Sequence, residues 1–148
     1  DDYTIFNQGG KIELNNVTYN STINKAFQMA GGGDVVLTDC NISGDVTGTY
    51  SASNIWCGDG RNVTVNGGTY GSIFMNAQYH SGWPAASAHA ASKITLNDGT
   101  ITKLILETEL GEEGYYVSAT LTQNGGTITN LVENPQNLDL TGRSQYNK

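Results

Sequence analysis

Histidine, cysteine and tryptophan are scarce in this sequence, so the few that occur mark where chemistry could sit. Both Trp (Trp56, Trp83), both His (His80, His89), Tyr50 and Tyr79 fall within two stretches, TGTYSASNIWCGDGRN (47–62) and MNAQYHSGWPAASAHAASK (75–93). Aromatic faces suit a sugar ring or a protein partner, because they offer large apolar area at low entropy cost. Trp56, Tyr79, His80 and Trp83 are therefore the candidate ligand-binding set. The competing reading is that these aromatics seal a small core, since burial stabilises them there. The two His have only Cys57 and Asp59 as companions. That is not the convergent set of three or four donors a metal needs. No Asp-x-Asp-x-Asp-Gly calcium loop is present either. No metal or other cofactor is expected.

Hydrolysis of a glycosidic bond needs two carboxyls about 5–10 Å apart. Asp39 and Asp98 occupy one column of a repeat described below, two copies apart. At about 4.8 Å per stacked strand they would lie near 10 Å from each other, and a place at a bend explains them without catalysis. Asp45 and Asp59 beside Arg61 are the remaining catalytic candidates. Glu107, Glu109, Glu112 and Glu113 have no nearby base in the sequence and read as a solvated charged loop. No catalytic motif emerges, and an enzyme is the less favoured reading. Cys40 and Cys57 are the only cysteines. A bridge between them would close a loop of about 17 residues, worth about 3 kcal/mol in the chain-entropy model; the other reading is one buried and one free thiol. Asn-x-Ser/Thr sequons at Asn16, Asn20, Asn41 and Asn62 would matter only in a glycosylating host.

The elements that must position these residues show as an internal repeat, the first thing to look for in such a chain. Five segments align without gaps: IELNNVTYNSTI from Ile12, VVLTDCNISGDV from Val35, VTVNGGTYGSIF from Val63, ITLNDGTITKLI from Ile94 and LTQNGGTITNLV from Leu121. A sixth, partial copy begins at Leu138 in LDLTGR. The first column (Ile12, Val35, Val63, Ile94, Leu121) and the third (Leu14, Leu37, Val65, Leu96, Gln123) share one face of a strand by its period of two. A column of Asn15, Thr38, Asn66, Asn97 and Asn124 follows, then a Gly- and Asp-rich pair that tolerates left-handed backbone angles and makes a tight bend. A second short strand resumes, as in Thr69-Tyr70 or Thr100-Ile101.

Two short strands around an Asn-Gly bend also suit a β-hairpin, and copies of one would build an antiparallel sandwich. Stacked coils are preferred because like columns carry like residues, because the period lies in the repeat-protein range, and because the Asn column suits a ladder of amides bonding from coil to coil. Gln123 departs from its column and marks an open end where apolar cover stops. The chain is therefore expected to be all-β, a single right-handed parallel β-helix (β-solenoid) domain over residues 1–148. About five coils start near 12, 35, 63, 94 and 121, and a flexible tail covers about 142–148. The segments between copies (Asn24 to Asp34, Thr47 to Asn62, Met75 to Lys93, Leu106 to Thr120) leave at one equivalent position and are expected on one flank, where binding should be sought.

Composition agrees with an all-β chain. Hydrophobic residues are 37% and charged residues 14% of the 148, with Gly, Asn, Thr and Ser making up the difference. A net charge of −7 with seven scattered Lys and Arg argues against nucleic acid. No apolar run is long enough to span a bilayer. A chain beginning Asp1-Asp2 reads as a processed form, a cleavage product or an excised domain.

The strand–Asn–Gly–strand step of VTVNGGTY and ITLNDGTI resembles the rungs of the right-handed parallel β-helix, pectate-lyase-like superfamily, over roughly Ile12 to Val132. That resemblance implies architecture more than activity: the superfamily includes polysaccharide lyases and hydrolases, phage tailspikes and fibres, and bacterial adhesins. A solenoid without evident capping helices is expected to belong to something larger or to pack on copies of itself. The leading expectation is a non-enzymatic extracellular, cell-surface or virion module of the fibre, spike or adhesin kind. It would present its insertions to a surface glycan or protein receptor. The alternatives are a polysaccharide lyase or glycoside hydrolase on the same fold, and a subunit of an extracellular filament stacking through its ends.

Overall fold

A computed structural model describes residues 5–21, 27–44, 53–58, 60–79, 89–110 and 116–133; for 21, 78, 79, 89, 90, 108–110, 116 and 117 it describes the backbone alone. The expected architecture is present: an all-β chain whose strands pair in parallel to form a β-solenoid. The coil has three strand columns. The first holds β1 (Ile5–Gln8), β4 (Phe27–Ala30) and β6 (Ile55–Cys57), and continues in the ends of three longer strands: β7 (Arg61–Met75), β10 (Lys93–Leu106) and β14 (Thr127–Glu133). The second stacks β2 (Ile12–Asn15), the start of β5 (Gly33–Gly44), the starts of β7 and β10, and β13 (Thr120–Gln123). The third stacks β3 (Thr18–Ser21), the second half of β5, the middles of β7 and β10, and the start of β14.

The repeat columns are the strand register. Ile12 pairs with Val35, Val35 with Val63, Val63 with Ile94 and Ile94 with Leu121. Of these five rungs, the three inner ones have a rung on either side, so the enclosed coil amounts to about three turns rather than five. First- and third-column residues point inward: Val35, Leu37, Val63, Val65, Ile94 and Leu96 are buried in one cluster with Ile42, Tyr70 and Ile101 from the third strand column. The bend behaves as its chemistry demands. Asn16, Asp39 and Gly67 have φ of 57°, 50° and 95°, the left-handed region that Asn, Asp and Gly enter at least cost. The amide ladder joins three rungs: Asn97 Nδ2 donates to Asn66 Oδ1 and Asn124 Nδ2 to Asn97 Oδ1, each at 2.8 Å.

The placement of the insertions differs from the expectation. Residues 27–30 and 55–57 are coil strands, with Phe27, Met29, Ile55 and Cys57 in the core. Alternation of apolar residues in Phe27-Gln28-Met29 was the available signal, and the gapless repeat hid it. In the first two coils the connections run from the third column to the first, through 22–26 and 45–54. In the next two the first-column strand follows without a break, so the extra residues 76–92 and 107–119 leave from the first-to-second corner instead. The insertions therefore occupy two corners, not one flank. At the earlier corner Asn54 N–H donates to Ser72 Oγ (2.8 Å) and Ser72 N–H to Asn54 Oδ1 (2.9 Å), locking one coil on the next.

Candidate functional site

Two antiparallel hairpins grow from the corner between the first and second columns. The first pairs β8 (Ala77–Tyr79) with β9 (His89–Ala91), Tyr79 opposite His89; the second pairs β11 (Thr108–Leu110) with β12 (Tyr116–Ser118). They leave successive rungs at stacked positions and pack side by side, β8 against β11 and β12. Each continues a first-column strand through a single residue, Asn76 or Glu107.

Their roots are tied by buried polar groups. Glu107 is fully buried, and its Oε2 accepts from Asn76 Nδ2 (2.5 Å) and Ala77 N–H (3.2 Å). Ser92 N–H donates to the Asn76 carbonyl (3.0 Å), Glu107 N–H to the Met75 carbonyl (3.0 Å), and Ala119 N–H to the Glu107 carbonyl (2.9 Å). Glu107 was expected in a solvated loop. It is instead the acceptor that holds one hairpin root on the other, and nothing in the local acidic run separates it from Glu109 or Glu112.

Arg61 is not part of a catalytic groove. It is fully buried, and its guanidinium turns back through the corner of two earlier coils. Nε donates to the Ala30 carbonyl (3.1 Å), Nη1 to the Gly10 carbonyl (2.7 Å), and Nη2 to the Ala30 carbonyl (2.5 Å), the Asn7 carbonyl (3.2 Å) and Asn7 Oδ1. One planar five-donor side chain thus clasps three successive coils, which only Arg can do. Asp45 and Asp59 lie outside the described residues.

Trp56 is corrected in the same way. It lies in β6 with 7% exposure and stacks on Phe74 of the next rung, centroids 6.4 Å apart and planes 9° from parallel. Ala30, Phe74 and Ile105 complete this second apolar cluster, with Val132 against it. The competing reading, aromatics as packing, holds for Trp56. Tyr79 does sit on a hairpin, at the backbone position facing His89; His80 and Trp83 lie outside the described residues, as does the repeat copy from Leu138.

Cys40 and Cys57 are both buried and both free, so there is no bridge. The reason is register: Cys40 pairs with Gly68 and Cys57 with Met75, in different columns of the same coil. Cys40 Sγ donates to the Leu14 carbonyl at 3.2 Å, and burial pushes the Cys57 thiol up to about 12. Asp39 and Asp98 serve the bend: a Cβ on Gly67 would lie 2.3 Å from Asp39 Oδ1, and Asp98 Oδ1 accepts from Gly99 N–H at 2.8 Å. Asn16, Asn20, Asn41 and Asn62 are all exposed. Among the described residues no group of three or more His, Cys, Asp or Glu could hold a metal.

The fold and this corner define a parallel β-solenoid with a paired-hairpin outgrowth. No protein-family model, curated protein or solved structure matches the chain.

Proposed function

We propose that this chain is a structural attachment module, extracellular or virion-borne, that holds the β8–β9 and β11–β12 hairpins out to a surface glycan or protein receptor. One observation carries the reading: two hairpins leave successive rungs at one corner, pack together, and are rooted by the buried Asn76–Glu107 pair. A rigid scaffold bearing fixed outgrowths is the usual way for loops to carry recognition. The bonding of buried Arg61 to backbone carbonyls withdraws the one cation that the lyase alternative had beside Asp45 and Asp59. The rung pattern resembles that of the pectate-lyase-like superfamily, whose fibre and adhesin members are the nearest functional analogy.

The test is binding of the full chain to an immobilised glycan panel and to intact cells. Its comparison is a variant in which an Asn-Gly turn replaces residues 80–88, joining Tyr79 to His89. Binding by the full chain that the variant loses, at unchanged circular dichroism and melting temperature, supports the reading. Equal binding by both, or none by the full chain, sinks it.

A further inference from the structure

The amide ladder and the bend beside it favour one pair of residues on each rung. The ladder needs a side chain that both donates and accepts, which Asn supplies. The residue after it is pressed against the rung behind: a Cβ on Gly67 would lie 2.3 Å from Asp39 Oδ1, and one on Gly125 2.4 Å from the Asn97 carbonyl oxygen. Asn-Gly accordingly stands at 66–67 and 124–125 and nowhere else in the sequence. That pair has a reactivity of its own. Glycine carries no side chain to shield its backbone nitrogen, which can attack the preceding Asn at Cγ.

The three rungs of the ladder differ in what guards against this attack. On the third rung Asn66 is half-buried and Gly67 buried, and Asn66 has strand partners on both sides, Thr38 and Asp98. On the fourth, Asn97 is exposed, but its amide is held by both ladder bonds and the next residue is Asp98, whose side chain shields the nitrogen. On the fifth, Asn124 is exposed and Gly125 half-buried. The Asn124 amide is tied to Asn97 through Nδ2 at 2.8 Å. The Gly125 N–H makes only a long bond of 3.3 Å, to the Leu96 carbonyl that already accepts from Asn124 N–H at 2.8 Å.

We propose that Asn124 is a site of spontaneous deamidation, which strips the last rung of its ladder bond. The Gly125 nitrogen forms a bond to Asn124 Cγ and gives up its proton. The Cγ–Nδ2 bond breaks, and Nδ2 leaves as ammonia with that proton. Water then opens the cyclic imide at either carbonyl, giving Asp or its β-linked isomer. The departing nitrogen is the donor to Asn97 Oδ1. In either product a carboxylate takes its place and acceptor faces acceptor. The β-linked product also lengthens the backbone through the bend.

Incubation of the full chain in mildly alkaline buffer, followed by peptide mass spectrometry, tests this. The Asn124 peptide should gain the mass difference between a hydroxyl and an amino group. It should do so at least about tenfold faster than the Asn66 peptide, because reaction at Asn66 needs the rung to open first. In urea, with the rungs gone, the two rates should agree within about threefold. Asn124→Gln, which would have to close a larger ring, should stay unconverted at this position. Equal or faster conversion at Asn66 in the folded chain overturns the proposal. So does a folded chain in which Asn124 persists while the urea-unfolded chain converts it.

Discussion

Replacing Arg61 by Met tests how the early coils are held. Met preserves most of the buried volume but removes every donor. The Ala30 carbonyl, in a buried residue, would lose both of its bonds from this side chain; the Gly10 and Asn7 carbonyls would lose one each. A buried acceptor left unsatisfied costs about 1–3 kcal/mol, and each charge-assisted bond lost about 1.5–3. Removing a buried cation offsets part of this, because its own desolvation penalty disappears. The net expectation is a loss of about 4 kcal/mol. At roughly 2–4 °C per kcal/mol for a chain near this size, the melting temperature should fall by about 10 °C. The loss should also be local. Amides of β1 and β4 should lose exchange protection first, because the clasp joins those strands to β7. Arg61→Lys should fall between, since an ammonium cannot span three coils with one planar fork. Urea denaturation of the three proteins, with residue-resolved exchange, reads all of this. A Met variant within about 1 kcal/mol of the native chain, or one that opens first at β13 and β14, would refute the clasp.

The remaining expectations are independent of that one. Gly68→Ala should destabilise by several kcal/mol, on the order of 3, because its Cβ would lie 2.2 Å from the Cys40 carbonyl oxygen at φ 101°; a melting temperature unchanged within 2–3 °C would count against the tight bend. Glu107→Ala should cost about 2 kcal/mol and weaken receptor binding, while Glu107→Gln, which keeps an acceptor for Asn76 and Ala77, should retain most of both; equal behaviour of the two variants would deny the carboxyl its rooting role. The Cys57 thiol should resist a thiol reagent at pH 8 until the chain unfolds, because burial raises it to about 12. Its folded value lies above the unfolded one, so its contribution is complete below about pH 8.5 and declines as pH rises toward 12; flat stability from pH 8 to 11 would contradict this.

Two of the three strand columns were legible in the sequence. Ile12, Val35, Val63, Ile94 and Leu121 read as one column because stacked parallel strands place like residue on like residue, and Asn15-to-Asn124 marked the bend because few residues accept its backbone angles. Only the tertiary structure decided the first column. Its strands lie at different distances from the repeat in the first two coils, since the connecting segments move from one corner to the other after the second rung. The same holds for the charged groups. Arg61 and Glu107 look like surface residues in sequence, and their burial depends on carbonyls and amides that coil stacking brings from as far as 54 residues away. Local pattern determines which residues turn and which face inward. Which polar groups end up sharing a corner is determined by how many residues each coil spends before it comes round again.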